Sequence, residues 1–224
     1  MRVSGLSALI LLVFPFDARA GDFAYPSDHC AAREYEVVHA HTGDSGILFG
    51  TSAWAEAGVC LRFPIERLGQ AAGNVDVMTW PGTTRVVDVQ TLPLQSPDQL
   101  MHLRIDDEAR HEHLFICQGA HWPMEWIMTI RGGSKTDPEA LMITADRMAG
   151  GDSNGGYIKR WIVRAELQRA SATETSFHMR YEIAAPGQDA NWAIGAITGY
   201  IDRLTIVASG GKAPGAETDP DCTP

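Results

Sequence analysis

The side chains best equipped for chemistry lie in one run of charged and imidazole residues, Asp106-Asp107-Glu108-Ala109-Arg110-His111-Glu112-His113. His111 and His113 are two apart, so on an extended chain they share a face, and imidazole is a common ligand for transition metals. His39 and His41 repeat that spacing. A metal centre also needs an ordered shell of partners behind its ligands, and no neighbouring pattern supplies one. A solvated hairpin turn accounts for the run with less, and no metal or cofactor is assigned. Nucleophilic chemistry lacks a setting too. Ser45 sits in Gly43-Asp44-Ser45-Gly46, without a Gly-x-Ser-x-Gly elbow, and Ser153 falls in a glycine-rich link. No Gly-x-Gly-x-x-Gly or phosphate-binding loop occurs. Glu125, His121 and Tyr181 are the polar groups from which an acid–base pair could be assembled, but spacing alone does not bring them within reach of proton transfer.

The elements that must position these residues follow a clear order. Tyr35–His41 reads as a strand, followed by a turn at 42–46 and a further extended stretch from Ile47 to Phe63. Pro64 suits the first position of a helix, and Ile65, Leu68, Ala71 and Ala72 continue it at helical spacing to Gly73. A second short helix is expected over Val75–Thr79. Strands then follow at Thr84–Leu92, Leu100–Asp106, His113–Gln118, Glu125–Arg131, Leu141–Asp146, Tyr157–Leu167 and Thr175–Ile183, as an antiparallel meander. The last element is one long helix over Asn191–Ala208. Its apolar residues recur at Ala193, Ile197, Tyr200/Ile201, Leu204 and Val207/Ala208, with Asp189 as cap and Gly210-Gly211 as its end. The small residues of Gly195-Ala196-Ile197-Thr198-Gly199 are expected to let this helix approach the sheet closely.

Alternation along the strands sorts side chains onto two faces. One face carries Met101, Leu103 and Ile105, then Trp126, Met128 and Ile130, then Trp161 and Val163, then Phe177, Met179 and Tyr181. The other carries His102, Arg104, Arg131, Arg160, Arg164, His178, Arg180 and Glu182. The first face must be covered, and the final helix is the only long one able to cover it. A solid core would satisfy that demand. The large, adaptable or amphipathic side chains of Trp126, Met128, Trp161, Met179 and Tyr181, with Ile197 opposite, are instead the kind that line ligand cavities. Trp192 at the helix start and Trp80 are placed at the mouth, and the Gly150–Gly156 link is expected to be mobile beside it.

Arg2, the apolar Leu6–Phe14 and Ala18-Arg19-Ala20 together read as a secretory signal peptide over residues 1–20, too short to span a bilayer. Its removal takes the net charge from −10 to −11, since Arg2, Arg19 and Asp17 leave with it. So acidic a chain is poorly suited to phosphate backbones or anionic lipid surfaces. Neither nucleic-acid binding nor stable membrane insertion is expected, and the exported protein, periplasmic or secreted, is expected to be a monomer. Four cysteines, Cys30, Cys60, Cys117 and Cys222, suit two disulfides in an oxidising compartment, with three connectivities open. The preferred pairing joins Cys30 to Cys222 and Cys60 to Cys117. The expected organisation is an irregular segment at 21–34, one domain at 35–210 and a polar tail at 211–224.

Three stretches give the chain a family likeness. Val59-Cys60-Leu61-Arg62-Phe63-Pro64-Ile65-Glu66-Arg67-Leu68 looks like a first core strand entering a helix. Asn74-Val75-Asp76-Val77-Met78-Thr79-Trp80 before Thr84–Leu92 looks like a short helix ending in Trp, and Tyr181-Glu182-Ile183-Ala184-Ala185-Pro186-Gly187 before Asn191–Ala208 looks like the last strand, break and helix. In this the chain resembles the START-like superfamily, the lipid-transfer domains and their polyketide cyclase/dehydrase relatives. The resemblance implies an α+β helix-grip fold: a curved antiparallel sheet wrapped around a long C-terminal helix, with two short helices after an early strand. It also implies a hydrophobic small molecule or lipid as partner. An enzyme of the cyclase or dehydratase type using the same pocket, or a ligand-free structural module, are the competing functions. Pro123-Met124-Glu125-Trp126 stands where relatives often carry an Arg-Asp pair, so no role resting on that pair is transferred.

Overall fold

The structure, a computed structural model, describes residues 30, 36–44, 51–78, 84–113, 116–148, 158, 160–185 and 189–213; at 36–44, 51, 84, 85, 108–113 and 116–121 it describes the backbone alone. The expected leader, Trp80, the Gly150–Gly156 link and Cys222 lie outside the described residues.

Eight strands form one antiparallel sheet: β1 (Glu36–Asp44), β2 (Thr51–Leu61), β3 (Thr84–Thr91), β4 (Gln99–His113), β5 (Ile116–Ile130), β6 (Ala140–Arg147), β7 (Arg160–Arg169) and β8 (Thr175–Ala185). Their order across the sheet is β1-β2-β8-β7-β6-β5-β4-β3. Between β2 and β3 run α1 (Ile65–Ala72) and α2 (Val75–Met78), which carry the chain from the β2 side to the far edge; α3 (Ala190–Ala208) closes the fold. This is the helix-grip arrangement. Pro64 is the N-cap of α1 rather than its first residue, with extended backbone at ψ 146°, and its carbonyl accepts from the amides of Arg67 and Leu68.

The register lines up inward side chains in rows across six strands. One row is Leu103, Trp126, Ala145, Val163, Tyr181 and Ala55; the next is Met101, Met128, Ile143, Ala165, Met179 and Ala57. The small residues fall on β2 and in the middle of the sheet, the bulky ones on either side. α3 lies on β1, β2 and β8 and packs against α1 and α2. Its buried face is Ala193, Ala196, Ile197, Tyr200, Ile201, Leu204 and Ala208. Its start is capped as expected, Asp189 accepting from the Trp192 amide at 2.9 Å. Past its end Gly210 adopts φ 88°, a conformation L side chains rarely take.

Three further expectations are corrected. The run Asp106–His113 is not a turn. β4 continues through it to His113, paired residue for residue with β5 from Pro123 to Ile116. Charged residues sit readily in a strand when alternate positions face outward, so polarity alone did not mark the end of the ladder. Gly195 does not permit a close approach of α3 to the sheet, because a Cβ there would meet nothing within 4 Å. The close approach is made by α1, where a Cβ on Gly69 would sit 2.6 Å from Cδ1 of Leu141.

The third correction concerns the cysteines. Cys30 is bonded to Cys60, with Cα atoms 4.4 Å apart, so neither the Cys30–Cys222 nor the Cys60–Cys117 pairing forms. Cys60 stands near the end of β2, and residue 30 comes back to it across 30 positions of chain. Spacing carries no record of that return, whereas geometry admits only cysteines with Cα atoms within about 7 Å.

Candidate ligand-binding site

Along β4 the alternation Met101, Leu103, Ile105 reaches Asp107 at its next step, and Asp107 is paired across the ladder with Trp122 of β5. Beyond them the inward positions of β5 are Met124, Trp126 and Met128; those of β7 are Trp161, Val163 and Ala165; those of β8 are Met179, Tyr181 and Ile183, all buried. The aromatic side chains touch in sequence. Trp126 meets Trp161 edge-on at 5.6 Å between centroids, Trp161 meets Tyr181 at 6.0 Å, and Tyr181 meets Trp192 of α3 at 5.5 Å. The Trp161 indole N–H donates to the Tyr181 hydroxyl at 2.5 Å. Burial drives that hydroxyl well above its ordinary pKa, with the Asp107 charge adding to the rise. Further along α3, Tyr200 stacks on Phe177 at 6.0 Å.

The electrostatics of this face are unusual in one respect. Asp107 is 3 % exposed, and its Oδ1 has no hydrogen-bond partner among the described residues. The same holds for the Trp126 indole N–H and the Tyr200 hydroxyl, both in fully buried side chains. Burial raises the Asp107 carboxyl from 3.8 to about 7, and the neighbouring Asp106 charge pushes the same way. The site therefore combines a large apolar and aromatic surface with one acceptor and two hydroxyl or N–H groups held away from water.

Of the side chains expected at a pocket, Trp126, Met128, Trp161, Val163, Met179, Tyr181 and Ile197 come together buried on this face, with Met101, Leu103 and Trp192 partly buried at its margins. Trp80 lies outside the described residues. Glu125 and Tyr181 do not come together as an acid–base pair. Glu125 points to the outer face, where its Oε1 lies 2.7 Å from Nε2 of His102. That outer face is otherwise ion-paired: Arg180 binds Glu56 at 2.6 Å with its guanidinium 4.3 Å over Trp54, and Arg164 holds both carboxylate oxygens of Asp146. Asp107 is the residue the sequence reading passed over. The alternation that placed Met101, Leu103 and Ile105 inward points to it, but the charge of its neighbours suggested a turn.

No family model and no curated protein matches the chain. Solved structures with similar chain paths include human StAR-related lipid transfer protein 5, at 7 % identity and TM-score 0.48 over 80 % of this chain and 90 % of that one. Human STARD10 is similar at 6 % identity and TM-score 0.47, over 78 % and 73 %. The Zhui aromatase/cyclase from a Streptomyces species is similar at 10 % identity and TM-score 0.34, over 70 % and 88 %. At this distance the helix-grip assignment rests on the strand order and on where α3 lies.

Proposed function

We propose that the protein binds an apolar small molecule, lipid-like in size, between the inner face of the sheet and α3, as a binding or carrier protein outside the cytoplasm. The observation that carries this is the set of buried polar atoms, Asp107 Oδ1, the Trp126 indole N–H and the Tyr200 hydroxyl, that have no hydrogen-bond partner among the described residues. Leaving such a group unpaired costs about 1–3 kcal/mol, and folded proteins seldom tolerate several together. A ligand that buries its body against Trp126, Trp161 and Met179 and offers polar atoms to the rest would offset that cost. Apolar burial would contribute about 25 cal/mol per Å² of surface removed from water, with the polar groups setting orientation. The Cys30–Cys60 bridge fits an oxidising compartment, and among the described residues no helix is long and apolar enough to cross a membrane.

The test is native mass spectrometry of the protein purified from its own host, paired with uptake of a fluorescent fatty acid by the parent and by Trp161→Ala. A co-purifying apolar molecule, and weaker uptake by a variant that keeps its near-ultraviolet circular dichroism, are expected. A parent that carries nothing and takes up nothing would return the interior to an ordinary core. One feature favours a second function. Asp107, a buried carboxyl near neutrality, is close enough for its charge to act on the Tyr181 hydroxyl, and such groups can serve proton transfer, so conversion of the co-purifying molecule on incubation would indicate an enzyme.

A further inference from the structure

Asp107 stands apart from the rest of the inner face. Its cross-strand partner is Trp122, the flanking inward residue on β4 is Ile105, and the row beyond is led by Met124. Its Oδ1 has no partner among the described residues. Arg147 occupies the position opposite Met124 and directs Nη1 to the Ile158 carbonyl. An ionised carboxylate accepts hydrogen bonds and donates none, so what completes it must bring protons. Trp122 faces it across the ladder, its charge acts on the Tyr181 hydroxyl, and Trp161, which bonds that hydroxyl, is buried on the same face. Aromatic faces carry negative charge density and attract cations within about 6 Å. A carboxylate with aromatic walls is therefore complementary to a positive nitrogen, adequate for an alcohol, and repellent to another carboxylate.

We infer that Asp107 is the polar anchor of the site and that the ligand is an apolar molecule carrying a protonated amine. This rests on the binding function proposed above and narrows its ligand class. The amine would donate to the Asp107 oxygen that has no partner among the described residues, and the apolar chain would run along Met124, Trp126 and Trp161 toward α3. An alcohol and an ammonium would each make a charge-assisted hydrogen bond to the carboxylate, but only the ammonium adds the attraction of an opposite charge. Relative to an alcohol of the same chain, that difference amounts to roughly tenfold in affinity.

The experiment uses three probes of one chain length, dodecylamine, dodecanol and dodecanoate, each displacing Nile red from the full mature protein at pH 8 and below micelle formation. Dodecylamine should displace the dye at a concentration at least about tenfold below dodecanol, with dodecanoate weakest. In Asp107→Asn the amine should fall to the level of the alcohol, while dodecanol stays within about threefold of its parent value. In Asp107→Leu, which leaves no acceptor, the amine should lose at least as much affinity as it does in Asp107→Asn. The preference should also survive 0.5 M NaCl, because attraction to the acidic surface is screened there while a buried pair is not. Equal affinity of amine and alcohol in the parent would overturn the assignment of Asp107 and leave apolar binding standing. A preference that persists in both variants, or disappears in salt, would overturn it as well. Failure of Nile red and all three probes to bind would remove the binding function and this inference with it.

Discussion

Two buried titratable residues make the stability of this protein depend on pH in the same direction, for different reasons. Asp107 has a folded pKa of about 7 against 3.8 when exposed, so the folded state holds its proton more tightly than the unfolded chain does. Its contribution is complete below about pH 4 and is lost as pH rises through 7. At about 1.4 kcal/mol per tenfold, that rise is on the order of 4 kcal/mol. His102 is held between two acceptors, the Pro93 carbonyl 2.7 Å from Nδ1 and Glu125 2.7 Å from Nε2, so only the doubly protonated ring can donate to both. The carbonyl contact, then Glu125, raises its pKa against the opposing effect of burial. Its contribution is present below 6.5 and fades as pH climbs through the raised value. Urea unfolding should therefore show stability falling from pH 5 to 8. Asp107→Asn should remove most of the slope below 7 and be more stable than the parent at pH 8. His102→Gln should destabilise most below 6.5, remove the fall in stability above it, and speed amide exchange at Leu92, whose N–H donates to the His102 carbonyl. A parent with flat stability across this range would refute both assignments.

At the level of elements, two glycines predict opposite outcomes for the same substitution. Gly69 lies where α1 meets β6, and the Leu141 side chain that a Cβ there would press on is 1 % exposed, so its methyl must shift within a packed core. Gly69→Ala gains up to about 1 kcal/mol of helix propensity but pays overpacking of about 1–3 kcal/mol, so a net loss of roughly 1–2 kcal/mol is expected. Gly195→Ala meets nothing and should gain a few tenths to about 1 kcal/mol. Thermal midpoints of the two variants should move in opposite directions; a shift of the same sign would show that the helix packing described here is wrong. The pair also shows what the sequence discloses. The 3.6-residue repeat and Asp189 located α3 to within a residue, because both are local signals. The inward positions of β5, β7 and β8 followed from alternation in the same way. Where β4 ends, which glycine meets a neighbour and which cysteine meets Cys60 are set by contacts between distant segments. Asp107 was missed at that boundary: its direction was legible in the alternation, while the length of its strand was not.

For the molecule as a whole, a ligand bound as proposed, between α3 and the sheet, would have consequences far beyond the residues it touches. β2, early in the fold, pairs along its full length with β8, late in the fold, and α3 then lies over both. Opening the site therefore means loosening α3 from β1, β2 and β8 while the ladder beneath stays intact. Elements that close a site are drawn from the less stable parts of a fold. The disulfide acts on the same side, tying residue 30 to the end of β2. Closing a loop of that length stabilises by about 2–4 kcal/mol in chain-entropy terms, so Cys30→Ala with Cys60→Ala should lower the unfolding free energy by that amount, and a non-reducing digest should yield the Cys30–Cys60 peptide. Ligand at about 100 times its Kd adds roughly 2.7 kcal/mol to every opening that releases it. Amides of Asn191–Gly195 and of the β7 and β8 rows beneath should then exchange up to about a hundredfold more slowly with dodecylamine bound. Those of Thr84–Thr91, at the far edge of the sheet, open by local fraying that leaves the ligand in place and should change little. Protection concentrated on β3, with α3 and the β7 and β8 rows unaffected, would place the ligand away from the surface that Tyr181 and Trp192 define.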